Sequence, residues 1–415
     1  MSVEGWVERK LGQVAEITMG QSPDSKYYSE EEIGMPFLQG CAEFTARFPI
    51  ARLFCSQPKK IGKAGSILFS VRAPVGKINI ADRDYIIGRG LSTIKGREVI
   101  QDYLEQFLKI SEEQFRNASQ GSTFEVINSA ELANWSITLP ESLPEQTQIA
   151  AILSTIDRAI EQTEAIIAKQ QRIKTGLMQD LLTRGIDAHG NIRTEATHAF
   201  KDSPLGRIPV EWEVVKLTDC YAIPARNGLY KPSEFYGSGL KMIHMPQMFK
   251  GLTVDSQNAV RVQVDNSEIQ RFGLQTNDLL FARRSLVLEG AGLCTLVPKI
   301  DETITFESSI IRVRLDRGKI EPKFAAYFLR SEAGYQMRLP YIRQVAVSGV
   351  SGDDVGNFLI PMPNIVEQCR ILDILDALDI EQQQMKLQQK KLVSTKTGLM
   401  QDLLTGRVRV GGVAL

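Results

Sequence analysis

The 415-residue chain lacks an excess of charge of either sign: 49 Lys and Arg balance 49 Asp and Glu. That excludes a uniformly basic surface, the usual whole-chain signature of nucleic-acid binding. Any such binding must come from local patches or be shared with a partner. Cysteine is scarce. Cys41, Cys55, Cys220, Cys294 and Cys369 are scattered, odd in number and never in a C-x-x-C pair. A disulfide framework is excluded, and reduced thiols in the cytoplasm are expected. No apolar run approaches the ~18 residues of a membrane span. The opening MSVEGWVERKLGQVAEI lacks a charged-then-apolar signal pattern. Catalytic motifs are missing as well. There is no G-x-x-x-x-G-K-[ST] phosphate loop. Neither an N/D-P-P-Y/F loop of adenine methylation nor a Gly-rich cofactor motif after a strand occurs. His189, His198 and His244 have no metal-ligand spacing. No catalytic residue, metal or cofactor is expected on this chain.

What is present is repetition. KTGLMQDLLT stands at residues 174–183 and again at 396–405, an offset of 222 residues. The match extends backwards: EQTQIAAILSTID at 145–157 aligns with EQCRILDILDALD at 367–379. Fainter echoes precede it. WVERKL at 6–11 resembles WEVVKL at 212–217, and GSILFSVR at 65–72 resembles NDLLFARR at 277–284. The chain alternates a variable block and a constant block, twice.

The constant blocks carry a heptad. Ile371, Leu378, Met385, Leu392 and Leu399 recur every seven residues. The same register in the first block gives Ile149, Ile156, Thr163, Gln170 and Leu177. That is a coiled-coil seam, and Leu181 and Leu403 extend it. Pro140, Pro144, Pro361 and Pro363 mark the entries to two helices. About forty residues at 1.5 Å each give a rod of roughly 60 Å. The second helix has no further domain to reach, so it buries its stripe by running back along the first, antiparallel. The variable blocks mix β-rich runs (SILFSV, RDYIIG, DLLFARR, TITFESSIIRVRL) with helical ones (QDYLEQFLKISEEQF, PKFAAYFLRSEAGYQM).

The expected fold class is therefore α+β. Two globular mixed α/β domains are separated by two long helices in an antiparallel coiled coil, with a pseudo-twofold internal repeat. The boundaries are a first domain at 1–144, a helix at 145–183, a linker at 184–205, a second domain at 206–364, a helix at 365–405 and a tail at 406–415. Within the repeated decapeptide the leucines are seam. The repetition of Lys174, Gly176, Gln179 and Asp180 as Lys396, Gly398, Gln401 and Asp402 is not accounted for by packing. Each glycine costs about 1 kcal/mol against alanine in a helix, which suggests a close approach by the other helix or a partner. A recent duplication would not explain why the middle of the block diverged. Two identical partner subunits docking on two equivalent surfaces would.

Several features together resemble the specificity subunit of type I restriction–modification systems. They are the W-x-x-x-K-L openings, LPESLPEQ and IPMPNIVEQ entering the helices, the paired GLMQDLLT ends, and the loops GQSPDSKYY at 20–28 and NGLYKPSEFYGSG at 227–239. The resemblance covers nearly the whole chain. It implies that each variable block is a target-recognition domain reading one half of a split double-stranded DNA sequence. It implies that the helices fix the gap, with half-sites near 34–36 Å apart, and hold two methyltransferase subunits. Restriction (translocase and nuclease) subunits would join them, and S-adenosylmethionine, ATP and magnesium would belong to those partners. Loops rich in Gly and Ser beside basic, amide or aromatic groups are the candidate DNA contacts. In the first block these are Gln21, Ser22, Lys26, Tyr27, Tyr28, Arg72, Lys77, Arg89, Gln120, Ser122 and Thr123. In the second they are Arg226, Asn227, Tyr230, Lys231, Arg283, Arg284, Arg343, Gln344 and Ser348. Two alternatives stand beside this reading. One is a protein-binding coiled-coil scaffold, which would not need two large mixed domains. The other is a nuclease built on the acids of residues 23–32 and Glu321-Pro322-Lys323, which lie far apart with no strand to join them.

Overall fold

The computed structural model describes residues 4–119, 126–344 and 347–410. The chain divides into two compact units, Met1–Ile166 with Met385–Leu415, and Ile167–Gln384. Each unit takes one variable block and a part of both long helices. The helices are therefore not separate bodies.

The first unit is built on an antiparallel sheet in the order Ala15–Met19, Leu91–Gly96, Ile67–Ser70, Ile78–Ile80. Ile67, Leu68 and Phe69 are all fully buried, because both faces of this sheet are covered. Ile67 and Phe69 join Tyr103, Leu104 and Leu108 of the helix Gln101–Ile110. Leu68 and Leu91 join Leu38 and Ile87 of a five-stranded second sheet. Burial on both faces is why these strands read as unbroken apolar runs instead of alternating ones. The second unit repeats the plan with Tyr221–Asn227, Ile310–Leu315, Leu279–Ala282 and Cys294–Leu296. Its covering helix is Pro322–Arg330, and its second sheet has three strands. Each long helical pattern of the variable blocks breaks in two at a serine. Ser111 ends the first helix, and Ser331 caps the start of Glu332–Arg338 through Gly334 N–H.

The long helices are Leu143–Thr183 and Ile365–Leu403. In the first unit Lys396 pairs with Asp157 at 2.6 Å and Gln389 donates to Glu164 at 2.8 Å. In the second, Lys174 pairs with Asp379 and Gln382 donates to Gln171 at 2.6 Å. One number rises as the other falls, so the helices are antiparallel within each unit. Ile149, Leu181, Ile371 and Leu403 of the expected seam are buried. Ile156, Leu177, Leu378, Met385, Leu392 and Leu399 are half-buried. The seam row containing Leu375 and Leu403 also carries Gln382, Gln389 and Lys396 at seven-residue steps. Polar groups in a seam give up stability and fix register.

The repeated Glu-Gln at each helix start is structural. Gln146 donates to Pro140 O and accepts from Ile100 N–H, at 2.8 and 2.9 Å. Gln368 does the same with Pro363 O and Glu321 N–H, at 2.8 and 2.9 Å. Buried Glu367 holds the guanidinium of Arg193, and Glu145 holds that of Arg409 at 2.7 and 2.9 Å. The segment 184–205 is consequently no free linker. Ile186 and Arg193 are buried in the second unit, and Phe200–Ser203 pairs with Gly206–Pro209.

Candidate nucleic-acid interface

In the first unit the loop after Ala15–Met19 is tied down by its backbone. Gly20 N–H donates to Leu91 O and Gln21 N–H to Ile87 O, both at 2.9 Å. A Cβ on Gly20 would lie 2.1 Å from Gly88 O, so only glycine fits this approach. Arg89 N–H then donates to Ser22 Oγ at 3.2 Å, and Val71 N–H donates to Gly90 O at 3.0 Å. Gln21, Ser22, Arg72 and Arg89 therefore gather at one end of the sheet. Arg72 and Arg89 are exposed and form no ion pair among the described residues. Arg72 also bridges to Val126, just past the stretch that holds Gln120, Ser122 and Thr123. Those three lie outside the described residues.

The second unit repeats the device. Gly228 N–H donates to Ile310 O and Leu229 N–H to Phe306 O, both at 2.9 Å, and a Cβ on Gly228 would lie 2.1 Å from Glu307 O. Arg283 N–H donates to Ser309 O at 2.9 Å, and Arg284 pairs in a two-residue ladder with Gly349. Arg226, Asn227, Tyr230, Arg283, Arg284, Arg343 and Ser348 gather at this end. Arg283, Arg284 and Arg343 line a cleft of about 440 Å³ with Gly349 and Ser351. Tyr230 is 78 % exposed. Gln344 is exposed beside Arg343. Exposed guanidiniums at a sheet end can grip phosphate oxygens or reach O6 and N7 of guanine.

Five expected contacts have other employment, the first being Arg343, which pairs with Asp354 at 3.2 Å. Lys231 is largely buried and paired with Glu268 at 2.8 Å, with its ammonium 4.7 Å from the Phe235 ring. Lys77 pairs with Glu112 at 2.8 Å. Tyr28 packs its ring 4.8 Å from that of Phe37 and donates its hydroxyl to Pro23 O; burial raises its pKa. Lys26 pairs with Asp24 and lies over the Tyr27 ring, at 3.3 and 5.0 Å. The sequence reading missed Leu286, which stands 91 % exposed two residues past Arg284. Its only signal was an apolar pair following two arginines.

The repeated decapeptide also reads differently in three dimensions. Lys174 and Lys396 are held by Asp379 and Asp157, which are themselves 222 residues apart. This in-chain cause for the repeated lysine corrects the expectation that packing does not account for it. Burial works against the Asp157 carboxylate, but hydrogen bonds from Lys396 and Gln106 outweigh it and hold its pKa below the usual value. Asp180 and Asp402 are both half-buried, and Asp180 pairs with Arg184 at 3.5 Å. A Cβ on Gly176 or Gly398 would meet nothing within 4 Å, so neither glycine serves a close approach inside the chain. Gly176, Gln179, Gly398 and Gln401 stay exposed.

Two units of one plan, each gathering exposed arginines, amides and hydroxyls at the same sheet end, define a bipartite recognition protein. Among the described residues no group of His, Cys, Asp and Glu is placed to hold a metal, and no helix is long and apolar enough to cross a membrane. The chain belongs to the type I restriction modification DNA specificity family, whose domain model matches residues 3–170 and 209–393. It is similar to the type I restriction enzyme MjaVIII specificity subunit of Methanocaldococcus jannaschii, 25% identical over 421 residues, covering 98% of this chain and 94% of that one. Its fold is similar to the type I restriction–modification S subunit of M. genitalium, with TM-score 0.57, 14% identity and 97% and 96% of the two chains covered. A second structure, reported for complex assembly and conformational transition of the type I system, matches at TM-score 0.62 with 15% identity over 97% and 99% of the chains.

Proposed function

We propose that this chain is the DNA-specificity subunit of a type I restriction–modification complex, each unit reading one half of a bipartite, asymmetric target. One observation carries the reading: in both units the same backbone device brings the sequence-predicted arginines, amides and hydroxyls to one end of the same sheet. The two ends differ in chemistry. Arg89 of the first stands where the second has Ser308, and Thr18 and Thr93 stand where the second has Arg226 and Arg312. The half-sites differ accordingly. The paired long helices set the spacer, and their exposed Gly-x-x-Gln surfaces dock two methyltransferase subunits. Restriction subunits join that core. Methylation and cleavage, with S-adenosylmethionine, ATP and magnesium, belong to the partners, which also supply the phosphate contacts a neutral chain is short of.

The test is protection of DNA by the chain assembled with its methyltransferase. One split sequence is protected, and exchanging the first variable block alters one half of it alone. An assembly with no sequence preference sinks the reading. A chain whose partners bind equally well, with nothing else lost, after deletion of both variable blocks is a scaffold.

A further inference from the structure

Arg312 is a buried cation with nothing holding it. It lies in an inner strand of the second unit's main sheet, Ile310–Leu315, and is 4 % exposed. Its Nε is buried without a hydrogen-bond partner, and no hydrogen bond or ion pair among the described residues uses its guanidinium. Buried charges are normally paired, because an uncompensated one costs several kcal/mol. The neighbours make matters worse. Arg226 is the direct cross-strand partner of Arg312, so both side chains rise from the same face of the sheet. Like charges directly opposite one another are destabilising. Arg314 shares that face two residues along. Asp278, the acid that acts on Arg312, is 1 % exposed and committed to Arg314 by two hydrogen bonds of 2.7 and 2.8 Å. That carboxylate is thus spent on Arg314 and not on Arg312. Burial depresses the pKa of Arg312, Asp278 works against that, and Arg314 and Arg226 add to it.

The fold does not require this arrangement. In the first unit the equivalent cross-strand pair is Thr18 and Thr93, on the same strands and at the same distance from the tied glycine. The arginines belong to the second unit alone. They also sit one residue pair inside the end where its reading residues gather: Asn227 pairs with Ile311, and Gly228 N–H donates to Ile310 O. Arg226 is exposed and lies over the Phe272 ring at 5.8 Å, so the pair runs from solvent into the sheet.

We infer that Arg226 and Arg312 form a binding site for a phosphate oxyanion, filled by a backbone phosphate of the DNA strand that the second unit reads. The oxyanion supplies the missing counter-charge and accepts charge-assisted hydrogen bonds from two guanidiniums. Naming DNA as its source rests on the function proposed above; the oxyanion site itself does not.

Two measurements on the full chain test it. In the first, thermal unfolding is followed while sodium phosphate replaces sodium chloride at constant ionic strength. The expected result is a saturable rise in midpoint, abolished in R312M and weakened in R226Q. Methionine suits the buried position, since an apolar group there avoids the charge-burial cost, and R226Q alters an exposed residue. In the second, duplex DNA binding is measured against salt concentration. R312M is expected to weaken binding about tenfold on every sequence and to reduce the slope of log K against log salt by about 0.9, one phosphate. If the phosphate response vanishes in R312M while the DNA slope is unchanged, the site stands and its occupant is a free oxyanion. A wild-type chain with no phosphate response, or one that R312M retains, overturns the site. Failure of the specificity reading would show separately, as DNA binding without sequence preference, and would leave the phosphate titration interpretable.

Discussion

At the scale of single residues, the arginines separate into exposed ones and ones bonded within the chain. Arg72 and Arg284 occupy equivalent places at the end of equivalent strands, and both are exposed. Arg338 and Arg193 are buried and bonded to the chain itself. Replacing Arg284 by alanine is expected to cost about 1–3 kcal/mol of discrimination at one base pair of one half-site. Binding to a panel of single-base target variants checks it, with thermal unfolding unchanged. Arg72→Ala is expected to act in the other half-site. The carboxylate of Asp157 gives a pH prediction. Its folded pKa is depressed, so the stability it contributes is present above its unfolded value of about 3.9 and is lost as pH falls through the folded value. The stability of D157N is therefore expected to fall less steeply on acidification below about pH 4. Urea midpoints over that range measure the difference, and parallel curves would refute it.

At the scale of elements, the two long helices are held by unlike means along their length. Apolar groups such as Ile149, Leu181, Ile371 and Leu403 bury against the units. Between them the seam carries Gln382, Gln389 and the two Lys–Asp pairs, which make sense only in one register. Lys174 and Asp379 are expected to be coupled by about 0.5–3 kcal/mol in a double-mutant cycle. Unfolding of K174M, D379N and the double variant measures it, and additive losses would remove the register role. Gly176 and Gln179, with their copies Gly398 and Gln401, stand outside this network. Changing Gln179 and Gln401 together to alanine is expected to weaken assembly with the methyltransferase while leaving unfolding of the chain unchanged. Co-sedimentation and thermal scans of the same samples separate the two effects.

At the scale of the whole molecule, the spacer role proposed for the paired helices is open to a direct test. Inserting a heptad within residues 162–171, with its match in 384–393, lengthens the pair by about 10 Å. The protected spacer is expected to grow by about three base pairs, as footprinting would show. An unchanged spacer would end the ruler role. The repeat, the heptads and the helix entries at Glu145 and Glu367 were legible in the sequence, because each is a local pattern: a period, a proline, a duplicated string. The glycine-bearing loops beside basic groups, with Gln21, Arg89, Asn227 and Arg284, were legible as candidates, but that they gather at one sheet end was not. The sequence could not reveal that Lys231 serves Glu268, that Lys77 serves Glu112, or that the repeated lysines serve Asp157 and Asp379. Nor could it reveal that Arg312 is buried and unpartnered. A charge's partner is set by which strands and helices lie across from it, often more than a hundred residues away. The sequence by itself determined the order of elements and their duplication, since periodicity is written along the chain. Tertiary structure decided which charges are spent inside the protein and which remain for a ligand, since pairing depends on distance in space.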